Sequence, residues 1–371
     1  MKILVTGAKG FIGKNLCLTL KSKGYEVFEY DSGSTDEELH QYVKACDFIV
    51  HLAGINRPLK PEEFMDGNVN FSKKLIDIVE EEETEAPILF SSSTQAELDN
   101  PYGKSKAMAE SLFNNFGFNG HSVYVYRLYN VFGKWCKPNY NSVIATWCYN
   151  ISHNLPIQIN KAPEIDFVYV DDVVNEFINT IEQRPKPNYR IHFVEPSYHV
   201  TLQEIADLLY SFKKSREDLM IPLQDELSKK LYATYISYLE PDDFAYKLNP
   251  HSDDRGSFTE CFKTAKYGQV SVNISKPGIT KGNHYHMTKN EKYLVVSGKC
   301  SIKLRQIQSD KVIEYLCDDK DLKVVDIPTG YTHNITNIGK EDSITIMWAS
   351  ELFDPDHPDT FPMPVEVGEK K

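Results

Sequence analysis

Long apolar runs are missing from this 371-residue sequence: nowhere do the roughly 18 consecutive apolar residues that mark a membrane-crossing helix occur together. A secretory signal segment is also lacking, so neither membrane insertion nor export is expected. Basic blocks are scarce as well. Lys and Arg number 41 against 53 Asp and Glu, a formal charge of -12, which argues against nucleic acid or an anionic membrane as partner. An anionic small ligand stays open, since backbone amides and a few local cations can hold one. The seven cysteines are dispersed, odd in number and never form a C-x-x-C pair. They read as reduced, mostly buried thiols of a cytoplasmic protein. What is present is 41% apolar residues, enough for real cores, in a chain long enough that two domains are the default and three are possible.

The first thirteen residues carry the strongest local signal. Lys2 to Thr6 reads as an apolar strand that runs into Gly7-Ala8-Lys9-Gly10-Phe11-Ile12-Gly13 and then a helix from Asn15 to Lys21. A strand, a glycine-spaced turn and a helix start together present backbone N–H groups to a pyrophosphate. Further strands are expected at Tyr25–Tyr30, Asp47–Leu52 and Pro87–Phe90, with helices at Thr35–Lys44 and Asn68–Glu83 between them. That alternation predicts a parallel α/β sheet of Rossmann type covered on both faces. Asp31, at the end of the second strand, is placed to take the ribose hydroxyls of NAD and to repel the extra phosphate of NADP, with Lys9 as a partial offset.

Tyr102 and Lys106 stand four apart at a helix start and so share a face. An ammonium beside the phenol is expected to lower its pKa toward a range useful for proton transfer during hydride transfer. Taken alone, this spacing is mostly chance. In company with Thr6-Gly7-x-x-Gly10-Phe11-Ile12-Gly13, His51-Leu52-Ala53-Gly54, Ser91-Ser92-Ser93, Arg127 to Gly133 and Phe167 to Val173, it resembles the extended short-chain dehydrogenase/reductases that act on nucleotide sugars. The resemblance implies Tyr102 as acid/base, Lys106 as its partner and ribose ligand, and Ser93 on the substrate carbonyl. It places Gly7, Lys9, Gly10, Phe11, Ile12, Gly13, Asp31, Leu52, Ala53 and Gly54 around the cofactor, and Asn130, Lys137 and Asn141 near the nucleotide sugar. Beyond this stretch we expect helices at Val143–Asn150, Asp171–Gln183 and Thr201–Lys213 and a strand at Pro156–Ile159, with residues 215–249 as an aromatic-rich helical connector.

Past about residue 243 the pattern changes to short alternating strands punctuated by Gly and Pro, which predicts an antiparallel β barrel or jelly roll. Its loops hold His284, His286, Glu291 and, much later, His333. Residues two apart on a strand share a face, so three imidazoles and a carboxylate suit zinc, with iron, manganese and nickel also open. Gly278 with His284-x-His286, Glu291 and Gly298, and Pro328-x-Gly330-x-x-His333 with Asn337, resemble the two cupin motifs. Asp254-Arg255-Gly256-Ser257-Phe258-x-Glu260 with Lys281-Gly282-Asn283-His284 resembles sugar-nucleotide 3,5-epimerases, which implies Arg255 and Lys281 as substrate ligands.

Together the halves, 1–243 as reductase and 244–371 as cupin, resemble a bifunctional enzyme family of capsular polysaccharide synthesis. That resemblance implies C-3 epimerisation of UDP-2-acetamido-2,6-dideoxy-4-hexulose by the cupin, then C-4 reduction to UDP-N-acetyl-6-deoxy-L-talosamine, with NADPH (NADH possible), Zn2+ and a homodimer. For the epimerisation base, Tyr285, Lys281 and His357 stand open. A monofunctional reductase with a structural or dimerising cupin is the alternative, and a non-catalytic sugar-nucleotide sensor is a third reading that intact Tyr102 and Lys106 oppose.

Overall fold

The computed structural model describes residues 1–58, 60–159, 164–187 and 190–366. The chain divides into two compact units, Met1–Leu209 with Asp225–Leu239, and Tyr210–Gln224 with Glu240–Lys371. No helix among the described residues is long and apolar enough to cross a membrane.

The first unit is built on the strands β1 (Lys2–Thr6), β2 (Glu26–Tyr30), β3 (Phe48–His51), β4 (Ile88–Ser93) and β5 (Val123–Leu128). Between them run the helices α1 (Phe11–Ser22), α2 (Asp36–Ala45), α3 (Phe71–Glu81) and α4 (Pro101–Phe118). There follow β6 (Asn130–Phe132), α5 (Val143–Ser152), β7 (Ile165–Tyr169), α6 (Val170–Gln183), β8 (Ile191–His192), β9 (Ser197–Val200), α7 (Leu202–Asp218) and α8 (Glu226–Ile236). The main sheet has the order β2-β1-β3-β4-β5-β8 and is parallel throughout. Alternation along β1 explains its two faces. Ile3 and Val5 join the core under α1 and α6, while Leu4 joins the core under α2, α3 and α4. Local capping agrees with the elements: Thr35 closes a capping box with Glu38 at the start of α2, and Thr201 does the same with Glu204 before α7.

The expected strand at Pro156–Ile159 does not form; those residues are irregular, and the small sheet beside the main one is β6-β7-β9. Three apolar or amide residues after a proline resemble a strand locally, but no neighbouring strand among the described residues pairs with them. The stretch 215–249 is shared between the units. Within it, α8 returns to the first unit, where Tyr235 is fully buried and Tyr238 Oη donates to the Cys136 carbonyl at 2.6 Å.

The second unit is all antiparallel β. One sheet has β10 (His251–Asp253), β11 (Gly256–Thr264), β12 (Gly268–Ser275), β14 (Glu291–Ser297), β17 (Val324–Ile327) and β19 (Ser343–Ala349), in the order β10-β11-β12-β19-β14-β17. The other has β13 (Thr280–Tyr285), β15 (Lys299–Gln306), β16 (Val312–Asp318), β18 (Tyr331–Asn337) and β20 (Phe361–Pro362), in the order β16-β15-β18-β13-β20. Tyr293, Val295 and Ile327 from the first sheet meet Ile302, Leu304 and Ile335 from the second in one core, the expected jelly-roll arrangement.

Candidate active site and metal centre

Strand order reverses between β1 and β3, and a crevice opens outside their carboxyl ends. Gly7 follows β1 with φ +70°, and a Cβ there would lie 2.8 Å from the Ala53 nitrogen behind β3; a Cβ on Gly13 would lie 2.2 Å from the Gly7 carbonyl oxygen. Both positions therefore require glycine, and within the turn the Ala8 N–H donates to the Tyr30 carbonyl and the Gly10 N–H to the Gly7 carbonyl. The resulting cleft, about 520 Å3, is lined by Gly7, Lys9, Gly10, Phe11, Ile12, Gly13, Leu52 and Gly54, and by Ser93, Tyr102 and Lys106. Asn130, Lys137 and Asn141 line it too. Of the residues expected around a cofactor, Asp31 and Ala53 are absent from its wall. Asp31 instead accepts from the Lys9 and Ser32 amides at 2.7 and 2.8 Å, so its carboxylate braces the glycine turn. Ala53 donates its N–H to Thr6 Oγ1 at 3.3 Å.

Lys106 is buried, donates to the Ser91 carbonyl at 2.8 Å and lies over the Phe90 ring. Burial lowers its pKa to about 8, against a smaller opposing pull from Glu110. The expected lowering of Tyr102 does not occur. Burial raises its pKa, which a hydrogen bond with Ser93 only partly offsets, and the ammonium is turned to the Ser91 carbonyl instead. A protonated phenol beside Ser93 is the form that donates to a carbonyl oxygen.

In the second unit, strand register builds the other centre. His284 on β13 stands directly opposite His333 on β18, His286 follows the end of β13, and Glu291 opens β14. One ligand atom from each of His284, His286, Glu291 and His333 lies within 4.8 Å of all the others. The His286 Nδ1–H donates to the Asp359 carbonyl, which aims Nε2 inward. Glu291 Oε2 sits 3.2 Å from His333 Nε2 and 3.5 Å from His286 Nε2, yet neither pair is aligned as a hydrogen bond, and both buried nitrogens are left without a partner. Two orphaned imidazole nitrogens turned on one carboxylate fit a divalent cation. Burial, helped by His333 and His286, lowers His284 to about 4, so its ring is neutral and able to ligate at physiological pH. Burial opposes ionisation of Glu291, but the flanking imidazoles outweigh it and hold the carboxyl well below the usual range; Tyr293 Oη also donates to it at 2.9 Å.

Arg255, Lys281, His284 and Glu291 line one cleft of about 670 Å3. Lys281 donates to Asn273 Oδ1 at 2.8 Å and the Ile274 carbonyl at 2.9 Å, and Arg255 pairs with Asp253 at 2.6 Å. Of the other residues weighed as epimerisation base, His357 is exposed and bonded to Asp354, and Tyr285 stacks on Phe361; neither lines this cleft.

Residues 3–192 match the model of the NAD dependent epimerase/dehydratase family, and 251–361 match the polysaccharide biosynthesis C-terminal domain. A Pseudomonas aeruginosa UDP-2-acetamido-2,6-beta-L-arabino-hexul-4-ose reductase is 43% identical over 99% of this chain and 100% of its own. The crystal structure of capsular polysaccharide assembling protein CapF from Staphylococcus aureus is 52% identical, with a TM-score of 0.91 over 98% of this chain and all of that one. The chain belongs to the CapF family. A further CapF structure, holding the inhibitor 3-isopropenyl-tropolone, is 48% identical with a TM-score of 0.85 over 99% of this chain.

Three supports of this CapF-family reductase site have roles that the sequence motifs did not assign. A π-helical turn, Met65–Asn70, buries Asn68, whose amide donates to Ser105 Oγ at 2.9 Å and accepts from the Ile55 N–H at 2.8 Å. That clamps the chain after β3 to the turn between Tyr102 and Lys106. Glu110, one helical turn beyond Lys106, accepts from Arg127 Nε and Nη2 at 2.9 and 2.8 Å and from Ser92 Oγ at 2.5 Å. His51 is buried and neutral between Thr6 and Ser72, with desolvation lowering its pKa to about 3. The i, i+4, i+8 spacing of Tyr102, Lys106 and Glu110 was the signal available for Glu110.

Proposed function

We propose that this enzyme epimerises C-3 of UDP-2-acetamido-2,6-dideoxy-4-hexulose in its β-rich domain and then reduces the C-4 ketone with NAD(P)H in its N-terminal domain. The product is UDP-N-acetyl-6-deoxy-L-talosamine, a precursor in capsular polysaccharide synthesis. The observation that carries this is one chain, similar over nearly its whole length to CapF, holding both a Ser93-Tyr102-Lys106 cleft and a four-ligand His/Glu cluster.

The division of labour follows the chemistry. A proton on C-3 is acidified by the neighbouring ketone because its electron pair delocalises onto the C-4 oxygen. A bound divalent cation supplies positive charge there. His284, His286, Glu291 and His333 hold it, and Arg255 and Lys281 face the same cleft to engage substrate. In the reductase cleft a bound nicotinamide supplies hydride to C-4. Ser93 and Tyr102 orient the carbonyl oxygen, and the Tyr102 phenol gives it a proton; Lys106 holds the ribose and compensates the phenolate that remains. Gly7, Gly10 and Gly13 back the pyrophosphate, while Asn130, Lys137 and Asn141 face the nucleotide sugar. Reduction removes the ketone that made C-3 acidic, so it fixes the new stereocentre.

NADPH is the reductant we favour, and zinc the metal. We also favour residues 1–243 and 244–371 as the two functional domains, a homodimer, and a cytoplasmic location, the last supported by seven free cysteines. The test is to incubate the metal-loaded enzyme with the 4-keto sugar in deuterated water without NAD(P)H. Deuterium at C-3, followed by NADPH consumption once cofactor is added, is expected. Consumption without prior incorporation leaves the monofunctional reductase standing.

A further inference from the structure

A second cleft in the β-rich unit, about 480 Å3, shares His251, Phe258, Glu291 and Met347 with the cleft already described. To the shared Phe258 and Met347 it adds Trp348 and Phe353, a largely apolar wall, and Lys289 stands in it. Lys289 is only 9% exposed. Lysine side chains at that depth are normally paired, because desolvating an ammonium without compensation is costly. Here the ammonium makes no hydrogen bond or ion pair among the described residues. Asp359 accepts from the Met287, Thr288 and Lys289 backbone N–H groups at 2.9 Å each. Those bonds fix the loop two residues ahead of Glu291 and so fix where the side chain starts. The other charged groups on this cleft are Glu260 and Lys263, paired with each other at 2.7 Å, and Glu351 and Glu291. Lys289 stands two residues ahead of the ligand Glu291 and lines the same cleft, which brings it to the metal cluster's side of the domain.

A cation held on an apolar cleft wall next to that cluster, its stem buried and its ammonium without a protein partner among the described residues, is a preorganised receiver for negative charge that appears only during reaction. We propose that Lys289 is a catalytic residue of the epimerisation step, its ammonium meeting the charge that develops on the C-4 oxygen of the 4-keto sugar. As a solvent-exchanging general base removes the C-3 proton, the C–H electron pair becomes the C3–C4 double bond and the carbonyl π pair moves onto the C-4 oxygen, opposite Lys289. Collapse of that enolate returns the pair to C-3, which takes a proton on the opposite face. Lys289 gains and loses no proton in this cycle. The assignment rests on the epimerase reading above.

The test compares wild type, Lys289→Met, Lys289→Arg and, as a charge-matched control, Lys292→Met, whose ammonium is half exposed and paired with Asp326. Deuterium incorporation at C-3 is followed in the full, metal-loaded enzyme without NAD(P)H, alongside metal content and circular dichroism. Lys289→Met is expected to lower the exchange rate by about 100-fold with metal content and fold unchanged. Lys289→Arg, which keeps the charge, is expected to recover part of it, and Lys292→Met to exchange like wild type. Wild-type exchange by Lys289→Met overturns the assignment, as does a loss matched by loss of metal, since Lys289 then merely supports the cluster. Absence of exchange in wild type itself removes the epimerase reading instead.

Discussion

Tyr102 and Lys106 show how burial sets protonation state at the single-residue scale. Lys106 is cationic below about 8 and neutral above, while Tyr102, raised by burial, keeps its proton through the same range. Reductase kcat/KM is therefore expected to fall as pH rises through about 8, and the profile should show that limb before any phenol titration. The stability consequence has the opposite sign. The folded pKa lies below the ordinary lysine value of 10.5, so between about 8 and that value the unfolded chain binds a proton the folded chain does not, and this residue's contribution to stability improves with pH across that window. Tyr102→Phe removes the proton donor and should cost about 100-fold to 10,000-fold in ketone reduction, read from NADPH consumption. Asp31 is legible as an acid at a strand end, but its bond to the Lys9 amide shows that it also braces the turn. Replacing it with Ser should improve kcat/KM for NADPH relative to NADH by about tenfold, since one negative charge near the extra phosphate is removed. An unchanged ratio would mean that Asp31 does not face the adenosine ribose.

Elements are held in register by polar contacts that sequence periodicity does not reveal. The Glu110–Arg127 pair joins α4 to β5, and Ser92 ties β4 to the same carboxylate, with only 6% of the Glu110 side chain exposed. Replacing Arg127 with Leu leaves that carboxylate buried without its partner, which costs roughly 3–5 kcal/mol. The expected result is a lower urea midpoint together with a reduced kcat for ketone reduction, because Tyr102, Lys106 and Glu110 share one helix face. Strand register does the equivalent in the β-rich unit. The pairing of β13 with β18 sets His284 against His333, with a bulge between Gly282 and His284, so one slipped residue turns a ligand away from the cluster.

Across the whole molecule, two units hold two chemistries in one chain. A metal at about 100 times its Kd adds about 2.7 kcal/mol to the unit that binds it, worth several degrees in a domain of this size. Calorimetry of the full chain should show chelation, or His333→Ala, lowering the unfolding temperature of the β-rich unit, with NADPH raising that of the nucleotide-binding unit. A chelator with no effect on either transition argues that the cluster holds no resident metal. At this scale the boundary also gains detail. The aromatic stretch 215–249 sends α8 to the first unit and its flanking residues to the second.

By itself the sequence determined the strand-turn-helix at Gly7–Gly13, the change from helical to alternating periodicity past about residue 243, and the metal-ligand residue types. These are local properties, carried by glycine spacing, by apolar period and by side-chain chemistry. Periodicity does not bound the strands β11, β13 and β18, because Gly, Asn, Thr and His interrupt their apolar alternation. Only tertiary structure decided which imidazole nitrogens lack partners, that Tyr102 is raised rather than lowered, that Pro156–Ile159 pairs with no strand among the described residues, and that the Lys289 stem is buried in a cleft wall. Desolvation and pairing depend on atoms brought together from distant parts of the chain, and no window of sequence contains them.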